Sequence, residues 1–229
     1  MGIINTAIPF SLLTFGQTQI ESGLTSIINT GTAVMGTLVA ALFLKDERLT
    51  RRKLIGVGFG FAGVVITVGT ESLSTFDIRS LAQLAYIGAT VSYAFAGVWA
   101  RKNLSSIRPD VATTGMLTGS ALVMIPMALY IDGMPNLALS TQTWLALIYV
   151  IPVATSLAYL MYFRLLAMAG SANTLLVTLL VSPIAILLGW LFLDETLPLR
   201  SFVGFVLIAL GLVIIDGRVT KRLTQAFSS

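Results

Sequence analysis

The stretch FLKDERLTRRKLIGVGFGFAGVVITVG, residues 43–69, returns 148 residues later as LFLDETLPLRSFVGFVLIALGLVIIDG, residues 191–217. In that register Asp46, Glu47, Leu49, Arg52, Gly56, Gly63, Val65, Ile66 and Gly69 meet Asp194, Glu195, Leu197, Arg200, Gly204, Gly211, Val213, Ile214 and Gly217. Each copy closes a long apolar run on an acid pair and then opens a glycine-spaced apolar stretch. The first copy sits among Lys45, Arg48, Arg51, Arg52 and Lys53, whereas the second keeps only Arg200. Shared hydrophobicity alone does not bring an acid pair, an arginine and three glycines into one register.

The chain around these motifs is 56% hydrophobic and 10% charged, against about a quarter charged in ordinary soluble domains. Its charge-free runs cover 2–20, 22–44, 54–70, 80–100, 111–131, 133–163, 165–193 and 201–215. A bilayer core asks for about 20 apolar residues per helix, so the expected fold is an all-α, polytopic membrane bundle of eight transmembrane helices. The helices are expected at 3–20, 24–44, 53–70, 81–100, 111–131, 143–163, 173–193 and 200–216. Polar links such as ESG at 21–23, RKNLSSIRPD at 101–110 and DGMPN at 132–136 separate them.

Alternating the links gives the chain a sidedness. The side that holds the start also holds Lys45, Arg48, Arg51, Arg52, Lys53, Arg101, Lys102, Arg108, Arg164, Arg218, Lys221 and Arg222; the other holds only Arg79 and Arg200. Positive charge collects on the cytoplasmic side, so both termini are expected there, in a cell inner (plasma) membrane. No basic leader precedes the first apolar run, so no cleaved signal is read. The pI near 9.6 reflects these clustered loops and not a nucleic-acid groove, so no nucleic-acid partner is expected.

The two motifs lie five helices apart and face opposite sides, which makes them an inverted-topology repeat, a construction used by many secondary transporters. Residues 1–70 are expected to be a partial first repeat of three helices and 71–79 a linker. Residues 80–217 make a five-helix second repeat and 218–229 a cytoplasmic tail. The first repeat has counterparts only for the last three helices of the second. Two helices, an even number that leaves the sidedness unchanged, are expected before Met1.

Two passages carry a resemblance to a known family: TLVAALFLKDERLTRRKLIGVGFGFAGVVITVG at 37–69, and VATSLAYLMYFRLLAMAGSANTLLVTLLVSPIAILLGWLFLDETLPLRSFVGFVLIALGLVIID at 153–216. They resemble the EamA type of the drug/metabolite transporter superfamily, in which an apolar helix ends on an acidic pair before a glycine-bearing helix. The resemblance covers the chain to about residue 217. It implies ten helices in two inverted halves around a central cavity open to alternate sides, exporting or exchanging small metabolites such as amino acids. This chain departs by starting at the third helix and by carrying Ala33 and Val34 where the first half often has a proline.

Polar side chains inside the apolar runs are the candidates for a substrate cavity. Tyr93, Tyr159, Tyr162, Thr178, Ser182, Pro183, Asn29 and Gln17 are the residues singled out, with the cavity between segments one, two, four, six and seven. Pro183 removes a backbone hydrogen bond in mid-span, and freed groups there need polar or wet surroundings, which Ser182 and Thr178 supply. A purely structural kink is the competing reading. Thr155 shares a helical face with Tyr159 and Tyr162, and Trp99 either faces the same space or anchors at the interface. Arg164 either snorkels to the boundary or meets an anionic substrate group. The acid pairs read as helix terminators beside Arg52 and Arg200, with gating or coupling as the alternative. Gly56, Gly60 and Gly63 share a face suited to close helix packing, within the bundle or between two copies.

The chain contains no His and no Cys, and no Asp or Glu falls at mid-membrane. A nucleophile–base pair or a metal cluster at depth has nothing to be built from, so an enzyme is not expected, nor a cofactor or metal. The expected function is a secondary transporter of amino-acid-like or amphipathic metabolites, working by alternating access in the efflux direction. The partners are its small-molecule substrate and the lipid bilayer, with a homodimer left open. The alternative is a truncated, non-transporting structural or regulatory membrane subunit.

Overall fold

The computed structural model of the protein describes residues 1–135, 137–192 and 198–216. Every regular element among them is a helix. Helix α1 joins a π-helical turn, Ile3–Ala7, to Ile8–Gln17. It is followed by α2 (Ser22–Phe43), α3 (Arg51–Val68), a 3₁₀ turn (Thr70–Thr75), α4 (Leu81–Asn103) and α5 (Pro109–Ile131). Helix α6 spans Thr141–Ala169, α7 spans Ser171–Phe192 and α8 spans Leu199–Asp216. Six of them, α2 and α4 to α8, are long and apolar enough to cross a membrane. Helix α3 opens on three basic residues, and α1 rises only about 22 Å at 1.5 Å per residue. Asp194, Glu195, Leu197 and Gly217, the second copies of the repeated positions, and the 218–229 tail lie outside the described residues.

The boundaries have local causes. The hydroxyls of Thr50, Ser80 and Ser140 accept hydrogen bonds from the backbone N–H groups of Lys53, Gln83 and Thr143, each satisfying one orphan donor of a helix start. Gly69 (φ 118°) and Gly170 (φ 86°) end α3 and α6 in a conformation that costs glycine little. The sixth helix runs to Ala169, past the expected end at 163. A single Arg164 does not terminate a helix, because its long stem lets the charge leave the apolar face; the positive-φ turn at Gly170 does. Helix α1 stops at Gln17, short of the expected residue 20.

Packing is tightest where glycines let backbones meet. Helices α3 and α8 cross antiparallel, Gly56 lying against Gly211 and Gly63 against Gly204. A β-carbon on Gly63 would stand 2.7 Å from the Gly204 carbonyl oxygen, and one on Gly211 would stand 2.5 Å from that of Gly56. The glycine face of α3 is thus spent inside the bundle. Helix α4 packs on α1 and α2, with Tyr86 and Ala82 seated over Gly16. A core of Ala33, Val57, Val64, Leu176, Leu179 and Ile208 joins α2, α3, α7 and α8. Helix α6 enters the bundle through its second half, where Phe163 and Leu166 meet Ala100, Ala112 and Met116; residues 141–154 of its first half are almost entirely exposed.

One end of the bundle gathers the basic loops. There Arg101, near the end of α4, meets Asp46 at 3.1 Å and donates to the Ala167 carbonyl at 3.2 Å. The Arg101 hydrogen bond holds the Asp46 carboxyl below its ordinary value. A carboxyl depressed on folding stabilises the fold above its unfolded pKa, and that stability is lost as pH falls through the lower folded value. The Asp46 side chain is 58% exposed, so the pair is worth about 0.2–1 kcal/mol. Asp46→Asn is expected to cost no more than this at neutral pH and to flatten the loss of stability below about pH 4. Thermal unfolding from pH 3 to pH 7 checks both.

Candidate functional site

A hydroxyl inside an apolar helix must find a partner or face water. Many here bond backward to their own helix: Thr30 donates to the Ser26 carbonyl, Thr37 to Ala33 and Thr67 to Gly63, each at 2.8 Å. Thr25, Thr174 and Thr178 do the same, to the Ser22, Gly170 and Leu175 carbonyls. These three converge with polar side chains from other helices.

They line a cavity of ≈ 490 Å³ in the middle of the bundle, within the usual range of small-molecule sites, about 300–1,000 Å³. Helix α1 supplies Asn5, Leu13 and Gln17, and α2 supplies Thr25, Ser26, Asn29 and Thr32. Tyr86 and Tyr93 enter from α4, and Tyr159 and Tyr162 from α6. The last wall is α7, with Thr174, Leu175, Val177, Thr178, Val181 and Ser182. Every polar group in the lining is a hydroxyl, phenol or amide, and none is an acid or a base. Tyr159 and Tyr162 stand edge to face with ring centroids 6.2 Å apart. The hydroxyls of Thr32, itself 1% exposed, and of Tyr162 are buried without a hydrogen-bond partner. Both oxygens are sealed from solvent, so a ligand or water reaches them only when the lining shifts.

The two walls formed by α6 and α7 are irregular. Helix α6 carries a π-helical segment, Val150–Leu157, containing Pro152, and wide turns of this kind recur at functional sites. Helix α7 breaks after Leu175, where the Leu179 and Leu180 amides turn back to Leu176 and Val177, at 3.0 Å each. Thr178 donates to the Leu175 carbonyl at 2.8 Å in the same place. Pro183, about a turn further on, is buried off the cavity.

Seven singled-out residues therefore share one cavity: Tyr93, Tyr159, Tyr162, Thr178, Ser182, Asn29 and Gln17. The eighth, Pro183, does not line it. Arg164 and Met168 line a separate groove of ≈ 660 Å³ on the outer side of α6 and α7, which shares Tyr159, Tyr162, Thr174 and Val177 with the cavity. Trp99 lines a different pocket, beside α5, and Thr155 lines none of these. Asn5, Thr25, Ser26, Tyr86 and Thr174 belong to the cavity without having been singled out. Helical spacing was the available signal: Tyr86 lies seven before Tyr93, Thr25 four before Asn29, and Thr174 four before Thr178.

Known proteins resemble this chain in sequence and in fold. The model of the EamA-like transporter family matches residues 1–69 and 80–216. A "Probable amino-acid metabolite efflux pump" of Escherichia coli is 29% identical over 215 residues, covering 90% of this chain and 70% of that one. An "Uncharacterized transporter" of Archaeoglobus fulgidus is 24% identical over 222 residues, covering 97% and 76%. A solved crystal structure superposes with a TM-score of 0.80 at 16% identity, over 93% of this chain and 73% of the other. Apolar helices and transporter relatives together make this a multi-pass membrane protein.

Proposed function

The chain belongs to the EamA-like transporter family, and from that premise we propose that it moves small amphipathic metabolites of amino-acid type out of the cell. The observation that carries this reading is the uncharged, aromatic-walled cavity assembled from five helices. A cavity with hydroxyls and amides but no fixed charge suits a ligand without net charge, such as a zwitterion whose two ends are met by dipoles. An isolated charge at that depth costs several kcal/mol unless it is paired. The E. coli relative's name points to amino-acid metabolites and to efflux.

Transport proceeds by alternating access between two inverted repeats spread over eight transmembrane helices. Residues 1–70 form the partial first repeat and 80–217 the second, joined by 71–79. The α3–α8 crossing supports this. In the 148-residue register Gly56 is the mate of Gly204, and Gly63 of Gly211. The contact of Gly56 with Gly211 therefore repeats as that of Gly63 with Gly204. Likewise Gly56 on Ile215 repeats as Thr67 on Gly204, and Gly63 on Ile208 as Gly60 on Gly211. Reciprocal contacts of this kind follow from a two-fold axis between the mates. The charge bias places the basic end, both termini and the 218–229 tail in the cytoplasm of a cell whose inner (plasma) membrane holds the protein.

The test is flux in proteoliposomes loaded with radiolabelled neutral amino acids and their analogues. Saturable counterflow that unlabelled substrate competes away is expected, with net-charged amino acids moving at least tenfold more slowly. No flux across the panel would leave the non-transporting membrane subunit as the better reading.

A further inference from the structure

We infer that Glu47 is the latch of a gate at the basic end of the bundle, holding the start of α7 so that the cavity stays shut from that side. The inference rests on the transport reading above. Glu47 belongs to the link between α2 and α3 and is 7% exposed. One carboxylate oxygen accepts from the Ser171 N–H at 2.5 Å and the other from the Ala172 N–H at 2.7 Å. These are two of the donors that a helix start leaves unmet, and a carboxylate also suits the positive end of the helix dipole. The link thus reaches across from residues 44–50 to grip a helix more than a hundred residues away.

The grip is double. Asp46, next to Glu47, binds Arg101, and Arg101 donates to the Leu166 and Ala167 carbonyls at the last turn of α6. A cation on the end of α6 and a carboxylate on the start of α7 clasp the turn at Gly170 from both sides. Gly170 permits it, because a β-carbon there would stand 2.5 Å from the Glu47 carboxylate.

What the latch holds is the plug of the cavity. Ala172 packs with Val39, Ala40, Leu44, Ala94 and Val98. This cluster lies between the basic end and the cavity residues Thr32, Tyr93 and Thr174. Several of its side chains are only alanine, so parting them exposes little apolar surface. The latched piece, Ser171–Leu175, is bounded by the positive-φ Gly170 and by the break at 176–177. It is a short rod between two breaks in the helix, with Thr174 of the cavity on it, and the proposal makes those breaks its pivots.

These 229 residues contain no cysteine, so Thr178→Cys puts one thiol in the cavity. An impermeant methanethiosulfonate is applied to inside-out and right-side-out vesicles, presenting one membrane face or the other. With Glu47 intact the thiol is expected to react slowly from the basic face. Glu47→Gln, which loses the charge and sets an amide N–H against a backbone donor, is expected to raise that rate about tenfold, from the strength of hydrogen bonds to a charged group. Glu47→Asp keeps the charge but withdraws it by one methylene from the two backbone donors; it is expected to act in the same direction if Glu47→Gln does not fold. Unchanged reactivity from the basic face in whichever variant folds overturns the latch. Transport is judged separately, by flux and by substrate protection of the thiol, so the two readings fail on different measurements.

Discussion

Gly204→Leu is expected to leave no folded protein. A β-carbon at Gly204 would overlap Thr67 Oγ1 and stand 2.5 Å from the Gly63 carbonyl oxygen. The hydroxyl is held in place by its own bond to that same carbonyl, at 2.8 Å, and a backbone carbonyl has no rotamer to escape into. Overpacking costs about 1–3 kcal/mol where neighbours can shift, so Gly204→Ala is expected near the top of that range and Leu beyond it. A domain's whole stability is about 5–15 kcal/mol. The graded set tests the cause. Gly211→Ala and Gly63→Ala, against backbone atoms, are expected to follow Gly204→Ala closely. Gly60→Ala meets the movable end of Leu179 at 2.8 Å and is expected to cost less. Gly58→Ala and Gly115→Ala meet nothing within 4 Å and are expected to be neutral or to gain up to about 1 kcal/mol from helix propensity. Thermal unfolding in detergent, read by size-exclusion chromatography, ranks them. A flat series would mean that the α3–α8 crossing is not held by close backbone approach.

The two glycine faces of this crossing were legible in the sequence, because glycines seven apart recur in two matching copies; that the faces meet each other was not, since packing within the bundle and between two copies look alike there. Helix positions were legible for the same kind of reason: charges and turn formers interrupt apolar runs at the spacing a bilayer sets. The ends were less so. A lone Arg164 resembles a boundary in a count of charges, yet hydrogen bonding along α6 continues until Gly170 stops it. In the cavity, Tyr93, Asn29 and Thr178 stood out as polar groups in apolar helices. Such helices are apolar all round, so no moment says which polar residue faces inward, and Thr30 and Thr32 look alike in sequence. They separate only in three dimensions, where the Thr30 hydroxyl bonds its own helix and that of Thr32, a residue of the cavity lining, has no partner. The latch was less legible still. Its acid pair was visible, but its partners at 171–172 are backbone amides, which every sequence has.

Asn29→Trp is expected to reduce flux below about a tenth of the parent with the fold retained. Asn29 is half-buried on α2 and faces the cavity, so an indole there fills space that a ligand needs without displacing packed core. Met168→Trp serves as the contrast. It adds the same bulk to the outer groove, whose lining includes Met168 while the cavity's does not, and it is expected to leave flux within about twofold. Smaller changes then separate occupancy from recognition. Thr32→Val removes a hydroxyl that has no partner in the protein. If a ligand completes it, apparent affinity is expected to fall about tenfold, since a hydrogen bond is worth about 0.5–1.5 kcal/mol. Thr37→Val removes a hydroxyl already spent on the Ala33 carbonyl and is expected to leave affinity unchanged. Equal loss in the two valine variants would mean that the cavity hydroxyls hold helices together and not a substrate. Full flux in Asn29→Trp would move the pathway out of the cavity altogether.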